Sequence, residues 1–525
     1  QAPQQQDTGT QKPETPSPGG ALPPTVEKRK VVIALGGDVV SFSPLVVTMI
    51  TDNGMAIRDI YSTPFTIAGM GSESNVSPNA ALSFEPTDGK DFTKMRMVLR
   101  KGITFHDGTE FNADSFLHSV DLYNKAPSTE VRYTVIKQMD VIDSHTIDAT
   151  YESNSITNQL EMITNYFFVF MHPKQEHDQL NEDPIGMGPF RKKSFIPGTE
   201  LVLERVKDWW GDKLPDSEKG PFLKARGNVD EVSFVTIKEV SAAVVALKNG
   251  DVDAVAALNL DSIPVVESLP NARVVNSGSA GWYHFHINSL IKPLDDVRVR
   301  QAINFATDNE ALLKVYGPLG IQLETLIPEG KLGYDPTIKN YPFDQARARE
   351  LLGEAGLKDG FDVKLVGIQT ALDPSRMDAT IAFSGMLGEV GINAPPDREE
   401  VPIWIRSVLN PTQTRIGMWP FRRTFTFRTP DEAITLFEKT VMPPPEGQLA
   451  VKEYESIVPL VRKVGATADP AERDKIYREI QKNVMALATD VFYAFSVTHK
   501  GVSNSIDFPQ WPAEHFIYPY TISLK

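Results

Sequence analysis

Short apolar runs suited to buried strands alternate along this chain with stretches whose apolar residues recur at helical spacing. A chain patterned in that way is confined to the α/β class. Lys30–Leu35 (KVVIAL) runs straight into Gly36, Gly37 and Asp38, a strand feeding a loop, and Lys94–Leu99 and the segments 146–150, 201–204 and 232–237 repeat the strand pattern. Segments 241–248, 297–306, 344–355 and 471–487 carry the helical spacing. Some boundaries have a local cause. Asp344 stands where an N-cap belongs and Gly356 where a glycine stop belongs, so a helix of about three turns is expected between them. Pro443, Pro444 and Pro445 suit neither a helix nor a central strand, which assigns 441–447 to a surface loop.

A chain of 525 residues exceeds what one core organises, so two or three domains are expected. No apolar run approaches the roughly 18 to 20 residues that span a bilayer as a helix. The formal charge of −15 argues against a general nucleic-acid binder, because neutralising phosphates needs clustered Lys and Arg. With no cysteine, disulfides, thiol nucleophiles and Cys-ligated metals are excluded. Residues 1–29 are rich in Gln, Pro, Thr and Gly and lack apolar periodicity, so they read as a flexible leader. The sequence begins at Gln1 without a basic or apolar signal region, which suggests a trimmed precursor. The leader would then be a tether to a membrane anchor, or simply a disordered terminus.

Five blocks in fixed order carry a resemblance. Residues 98–116 read VLRKGITFHDGTEFNADSF; 186–190 read GMGPF, followed by Pro197-Gly198 and Trp209-Trp210-Gly211. Residues 229–232 read VDEV and lead to 247–254, LKNGDVDA. Residues 293–308 read PLDDVRVRQAINFATD, and 341–356 begin YPFD and end LLGEAG. In these blocks the chain resembles extracellular solute-binding protein family 5, the peptide- and nickel-type substrate-binding components of ABC importers. The resemblance implies a periplasmic-binding-protein fold: two α/β lobes joined by a hinge, with an extra subdomain on the first lobe. By analogy lobe one would take 30–45, 186–276 and 493–525, the subdomain 46–185, and lobe two 277–492. Within the first block Asp107-Gly108 makes a turn, and Asn112 or Asp114 is expected to cap a helix beginning near Ser115. His106 beside Asp107 invites an acid–base reading, but adjacent residues usually point apart, and a scaffold role suffices.

The segment 282–288 alternates strictly. Trp282, His284, His286 and Asn288 share one face and Tyr283, Phe285 and Ile287 the other. The second face suits a core and leaves the first for a cleft, so Trp282, His284 and His286 are candidate ligand contacts. Imidazoles also suit nickel, copper or zinc, but two histidines on one strand are not a full coordination set, and no metal or cofactor is assigned. At 417–424 (GMWPFRRT) the resemblance is instructive. Peptide-binding relatives commonly place an Asp three positions after a Trp, to pair with the peptide α-ammonium; here Trp419 is followed by Arg422. A guanidinium suits carboxylate, phosphate or sulfate instead, so Trp419 and Arg422 point to a small organic anion or a chelate beside the peptide-like class. Alternatively Arg422 joins Arg415, Arg423 and Arg428 on a hydrated surface. Thr48 and Met49, in the loop after the first strand, carry over as pocket residues.

The function implied is capture of a small solute or peptide at the periplasmic or outer face of the cell envelope, by a monomer that hands it to an ABC permease. The membrane would be met only through an N-terminal anchor. A cell-surface receptor or chaperone-like binding protein on the same fold is the alternative. An enzyme is not expected: the chain has no G-x-S-x-G elbow, no H-E-x-x-H helix and no phosphate-binding loop.

Overall fold

Each strand candidate forms a strand, seen as Lys30–Leu35, Lys94–Leu99, Thr146–Tyr151, Glu200–Arg205 and Glu231–Thr236. The helical patterns appear as Val240–Asn249, Val297–Ala306, Gln345–Glu354 and Pro470–Leu487. The structure, a computed structural model, describes residues 29–43, 52–67, 76–125, 136–151, 154, 171–323, 326–327, 332–368, 375–399, 404, 415–424, 457–467, 469–509 and 517–525. The proline loop 441–447 lies outside them. The Asp344 carboxylate accepts from the Arg347 N–H at 2.9 Å, and Gly356 has φ +80°, so both expected boundaries of that helix are in place. The helix after the first sequence block, Ala113–Lys125, starts two residues earlier than expected. Asn112 Oδ1 accepts from the Ser115 N–H (3.1 Å) while Ser115 Oγ accepts from the Asn112 N–H (3.0 Å), a reciprocal cap that leaves Asp114 inside the first turn.

One 11-stranded sheet runs through the molecule. From one edge its path is Pro396–Arg398, Leu365–Gly367, Met418–Thr424, Ala272–Ile287, Asp490–Ser503, Ala254–Val255, Lys30–Leu35, Glu231–Thr236, Glu200–Arg205 and Phe190–Ile196, with the eleventh strand, Gly320–Gln322, pairing with Asp490–Ser503 off this path. A separate four-stranded sheet is made of Ala81–Pro86, Lys94–Leu99, Thr146–Tyr151 and Ile136–Asp143. The large sheet has two halves, joined by its two longest strands. Ala272–Asn276 pairs with His499–Ser503 on one side; Trp282–His286 pairs with Asp490–Phe495 on the other. Between them the register shifts twice, at Asn276/Ser279 and Ser279/Gly281, and a third shift falls within the second ladder, at Tyr283/His284. A strand pair interrupted there is two short ladders in series, which is the weak point at which one half can turn against the other.

The core is not divided in the same way, since one cluster lies within the first half and another spans both. One hydrophobic cluster gathers Val31, Ile33, Phe190, Leu203, Val232 and Phe234 with the four-stranded sheet (Phe84, Met97, Ile147) and the C-terminal residues Ile506, Ile517 and Tyr520. A second takes Ala34, Leu247, Val255 and Val266 from the other face of the first half, and Tyr283, Phe285, Ile303, Leu365, Phe383 and Val491 from the second half.

The first two sequence blocks of the resemblance converge on one loop. His106 donates its backbone N–H to Gly186 O (2.8 Å) and sits between Gly188 O, 2.9 Å from Nε2, and the Gly186 N–H, 3.4 Å from Nδ1. Nδ1 can accept only if unprotonated, so Nε2 carries the proton and the ring is neutral; burial pushes its pKa down, in the same sense. Asp107 is spent on a turn, accepting from the Thr109 N–H and hydroxyl. The Trp209 and Trp210 indoles both donate to Met187 O at 2.8 Å. The glycines are required by contact: a Cβ on Gly188 would lie 2.3 Å from the carbonyl oxygens of Asp59 and Tyr61, and one on Gly186 2.1 Å from that of Ile60. The fourth block works the same way. Arg300, fully buried, donates to the carbonyls of Leu487, Leu294 and Asp295 at 2.9–3.0 Å, fastening its helix to the residues just before Asp490.

Gly188→Ala therefore forces a methyl group into backbone, which should cost about 2 kcal/mol or more. Gly353→Ala, in a helix where a Cβ meets nothing, should stabilise by about 0.5–1 kcal/mol. Thermal unfolding of the two variants checks the contrast; a Gly188→Ala protein melting with the wild type refutes the packing argument.

Candidate functional site

From Trp282 onward, the strand Ala272–Ile287 presents its residues to opposite sides of the sheet, as its alternation requires. Tyr283, Phe285 and Ile287 enter the second core; Tyr283 stacks on Tyr316 at 4.0 Å between centroids and Phe285 on Phe383 at 4.1 Å. Trp282, His284 and His286 take the other face. Antiparallel pairing sets His284 opposite Phe421 and His286 opposite Trp419 on one neighbour, and His284 opposite Phe492 and His286 opposite Asp490 on the other. The result is one surface of rings and imidazoles with a single carboxylate.

Asp490 organises that surface. Its Oδ1 is 2.8 Å from His284 Nδ1 and 3.0 Å from His286 Nδ1, and its Oδ2 accepts from the Thr489 hydroxyl at 3.0 Å. Burial alone would push the Asp490 carboxyl up, but the charge of His286 and the hydrogen bonds from both imidazoles prevail and hold it well below the usual carboxylate range. An ionised carboxylate can only accept, so each Nδ1 carries its proton and both rings are fixed in orientation. His284 is further held by Phe492, stacked at 5.3 Å, and His286 lies 4.7 Å from the Trp419 ring.

The expected ligand contacts are thus distributed unequally. His284 and His286 come together on Asp490, the first buried and the second partly open. Trp282 is buried against Leu323, Leu326 and Ile480, and its indole donates to Leu326 O at 3.1 Å, so it is packed into a third core between the sheet and the helix Pro470–Leu487. Asn288 is likewise enclosed, donating to Ile416 O at 3.1 Å. Trp419 is buried with Val366, Ile368, Ile416 and Trp404. Arg422 pairs in register with Tyr283 and Arg423 with Trp282, so Trp419 and Arg422 fall on opposite alternations of their strand and Arg423 on that of Trp419. The side chains of Arg422 and Arg423 lie outside the described residues, as do Thr48, Met49 and Arg428. Arg415 is exposed.

Two participants escaped the sequence reading. Asp490 opens an apolar run, VFYAF, and nothing local marks it as the partner of histidines about two hundred positions earlier. Trp404 stands isolated between polar and aliphatic residues. No group of three or more metal-binding side chains occurs among the described residues, and none of their helices is long and apolar enough to cross a membrane.

The chain matches the family model described as bacterial extracellular solute-binding proteins, family 5 middle, over residues 75–440. It is 22% identical over 476 residues to a glutathione-binding protein of Salmonella choleraesuis, covering 87% of each chain. It is 23% identical over 403 residues to the dipeptide-binding protein of Escherichia coli, covering 70% of this chain and 72% of that one. Its fold superposes on an ABC transporter-associated periplasmic binding protein from Helicobacter pylori, solved with the peptide STSA, with a TM-score of 0.75, 20% identity and coverage of 94% of this chain and 98% of the other. With seven-tenths of its length inside that family's model, and a sheet whose halves meet at two interrupted crossing strands, the chain belongs to the bacterial extracellular solute-binding proteins of family 5.

Proposed function

We propose that this protein captures a small, peptide-like solute between its two lobes outside the cytoplasmic membrane and delivers it to an ABC permease without turning it over. The observation that carries the reading is the crossing of Ala272–Ile287 and Asp490–Ser503 between two sheet halves, interrupted in register, inside a chain of this family. A solute that touches both lobes favours the closed arrangement by its differential contacts. The peptide-like class rests on likeness to proteins named for glutathione and dipeptides.

Lobe one takes 30–45, 186–276 and 493–525 in this proposal, the subdomain 46–185 and lobe two 277–492. In support, Ile506, Ile517 and Tyr520 lie in the first core and the register breaks just after Asn276. The imidazole surface on Asp490 is the lobe-two wall, with Trp419 beside it. An anionic group on the solute meets the arginines that close the strand Met418–Thr424, with Arg422 the residue singled out by its spacing from Trp419 and Arg423 the one on the Trp419 alternation.

Native mass spectrometry of the purified protein names the retained solute, and X-ray scattering with that solute should show a smaller radius of gyration than without it. An unchanged profile at saturation refutes lobe closure, and accumulating product refutes a pure binding role. Because neighbouring positions of a strand belong to opposite alternations, only one of Arg422→Ala and Arg423→Ala should lower affinity by more than tenfold, the loss of a desolvated charge-assisted contact of about 2–5 kcal/mol. Small effects of both in calorimetric titration remove the anionic part of the reading.

Asp490→Asn should destabilise the protein by about 3 kcal/mol at neutral pH, since it strips the shared carboxylate from one buried and one partly open imidazole. The sign of the pH dependence follows from the lowered pKa of Asp490. The folded state holds its proton less tightly than the unfolded chain does, so the stabilisation is present above the unfolded carboxyl value of about 3.9 and is lost as the pH falls below it. Urea unfolding from pH 7 to pH 3 should show the gap between wild type and variant narrowing toward acid. A gap independent of pH contradicts the assignment.

A further inference from the structure

The strand Asp490–Ser503 is flanked on one side by Ala272–Ile287, and its other side carries two short partners laid end to end. Ala254 and Val255 pair with Val502 and Gly501, and the Leu258 N–H donates to His499 O at 2.8 Å; these partners belong to the first half. Gly320–Gln322 pairs with Ser496, Phe495 and Ala494 in the second half. Between His499 and Ser496 lie Val497 and Thr498. Two register shifts of the long partner fall at the same level, since Asn276 faces His499 and Gly281 faces Ser496. Both flanks of the strand therefore change over at one place, which puts the bend between the halves at Val497–Thr498. A side-chain contact spans that gap. Leu260, of the first half, reaches Gly317, of the second: a Cβ on Gly317 would lie 2.8 Å from Leu260 Cδ1. Both sides of the contact are built. Ser262 Oγ accepts from the Asn259 N–H at 3.1 Å and Asn259 Oδ1 from the Ser262 N–H at 3.0 Å, which fixes the turn that carries Leu260. Gly317 ends the helix Asn309–Tyr316 at φ +49° and ψ −128°, a conformation open to glycine and strained for other residues.

We propose that the contact of Leu260 with Gly317 is a latch behind the hinge, which holds the halves in the open arrangement and parts when a solute closes them. Tyr316, next to Gly317, stacks on Tyr283 at 4.0 Å between centroids, and Leu319 and Leu260 pack into the same core. Tyr283 points away from His284 and His286, so the latch lies on the face of the sheet opposite the imidazole surface. A solute seated on that surface and touched by the first half needs the sheet to bend toward it. The same bend draws apart groups that meet on the opposite face. Leu260 therefore contributes to the open arrangement and not to the closed one, and the free energy of its contact is subtracted from that of solute binding. A residue that never touches the solute thereby tunes how tightly it is held. This inference rests on the solute-binding role proposed above and names what opposes closure.

Leu260→Ala removes the side chain that spans the gap and leaves the imidazole surface untouched. Without solute, its radius of gyration in X-ray scattering should lie below that of the wild type. In calorimetric titration it should bind whichever of glutathione and Gly-Leu the wild type binds about fivefold more tightly, because only the open arrangement loses the contacts of a partly buried leucine. Val266→Ala is the control. Val266 lies in the same core, 3.5 Å from a Cβ placed on Gly501 within the first half, so this variant should unfold at a lower temperature with affinity and radius unchanged. Wild-type affinity and radius in Leu260→Ala overturn the latch, while lobe closure stands if the wild type contracts on binding a peptide. A wild type that binds a peptide without contracting overturns both. Weaker binding or a larger radius in Leu260→Ala puts the contact on the closing side and overturns the latch as well. If neither peptide binds, the peptide-like reading fails and the solute-free radii decide: a smaller one in Leu260→Ala supports the latch, an equal one overturns it.

Discussion

The pairing of Ala272–Ile287 with Asp490–Ser503 is the contact on which the rest is built. These strands are 16 and 14 residues long, and each belongs to both halves of the large sheet. Antiparallel register fixes which residue meets which, and a slip by one would turn every side chain to the opposite face. Here the register brings Asp490 to His286 and Phe492 to His284, while Val491 and Tyr493 join Tyr283 and Phe285 on the core side. The core face therefore selects the pairing, and the imidazole surface follows from it. A buried carboxylate contributes little net stability when paired, but in the wrong register it would face hydrocarbon alone, which disfavours alternatives strongly.

The sequence blocks that betray the family have a common physical use. His106, Met187, Gly186, Gly188, Trp209 and Trp210 all meet at one loop against residues 59–61, and Arg300 ties a helix to the carbonyl of Leu487. These residues hold elements at fixed distances from the crossing strands. None belongs to the imidazole surface, so the blocks identify an architecture and leave the solute open.

That separation explains what could be read from the chain. Strands such as Lys30–Leu35 and helices such as Gln345–Glu354 were legible because their causes are local: an apolar run closed by glycines, an Asp at the N-cap, a glycine at the stop. The alternation at 282–288 correctly divided core from non-core for Tyr283, Phe285 and Ile287. It could not separate His286, partly open on the surface, from Trp282, which is covered by the helix Pro470–Leu487, because the cover comes from a distant segment. Asp490 and Trp404 were illegible for the same reason. Their roles depend on partners set opposite them by pairing and packing. The three-residue spacing of Trp419 and Arg422 also reads differently once the segment is a strand, since an odd spacing puts the two on opposite faces.

The position of the imidazole surface limits how a solute can close the molecule. Every partner that fixes it lies beyond the register shifts: Asp490, Thr489, Phe492, Trp419 and Phe421 all belong to the second half. The surface is therefore the same whether the halves stand apart or together. A solute held by it alone would bind both arrangements equally, and however tight the binding it would shift no equilibrium between them. The free energy that selects the closed form must come from contacts the same solute makes with the first half, across the break at 276–281. Tightness can thus be built into a rigid sheet face while the signal to a transporter is generated at the other wall, so two proteins of this architecture can share one motion and differ in what they carry.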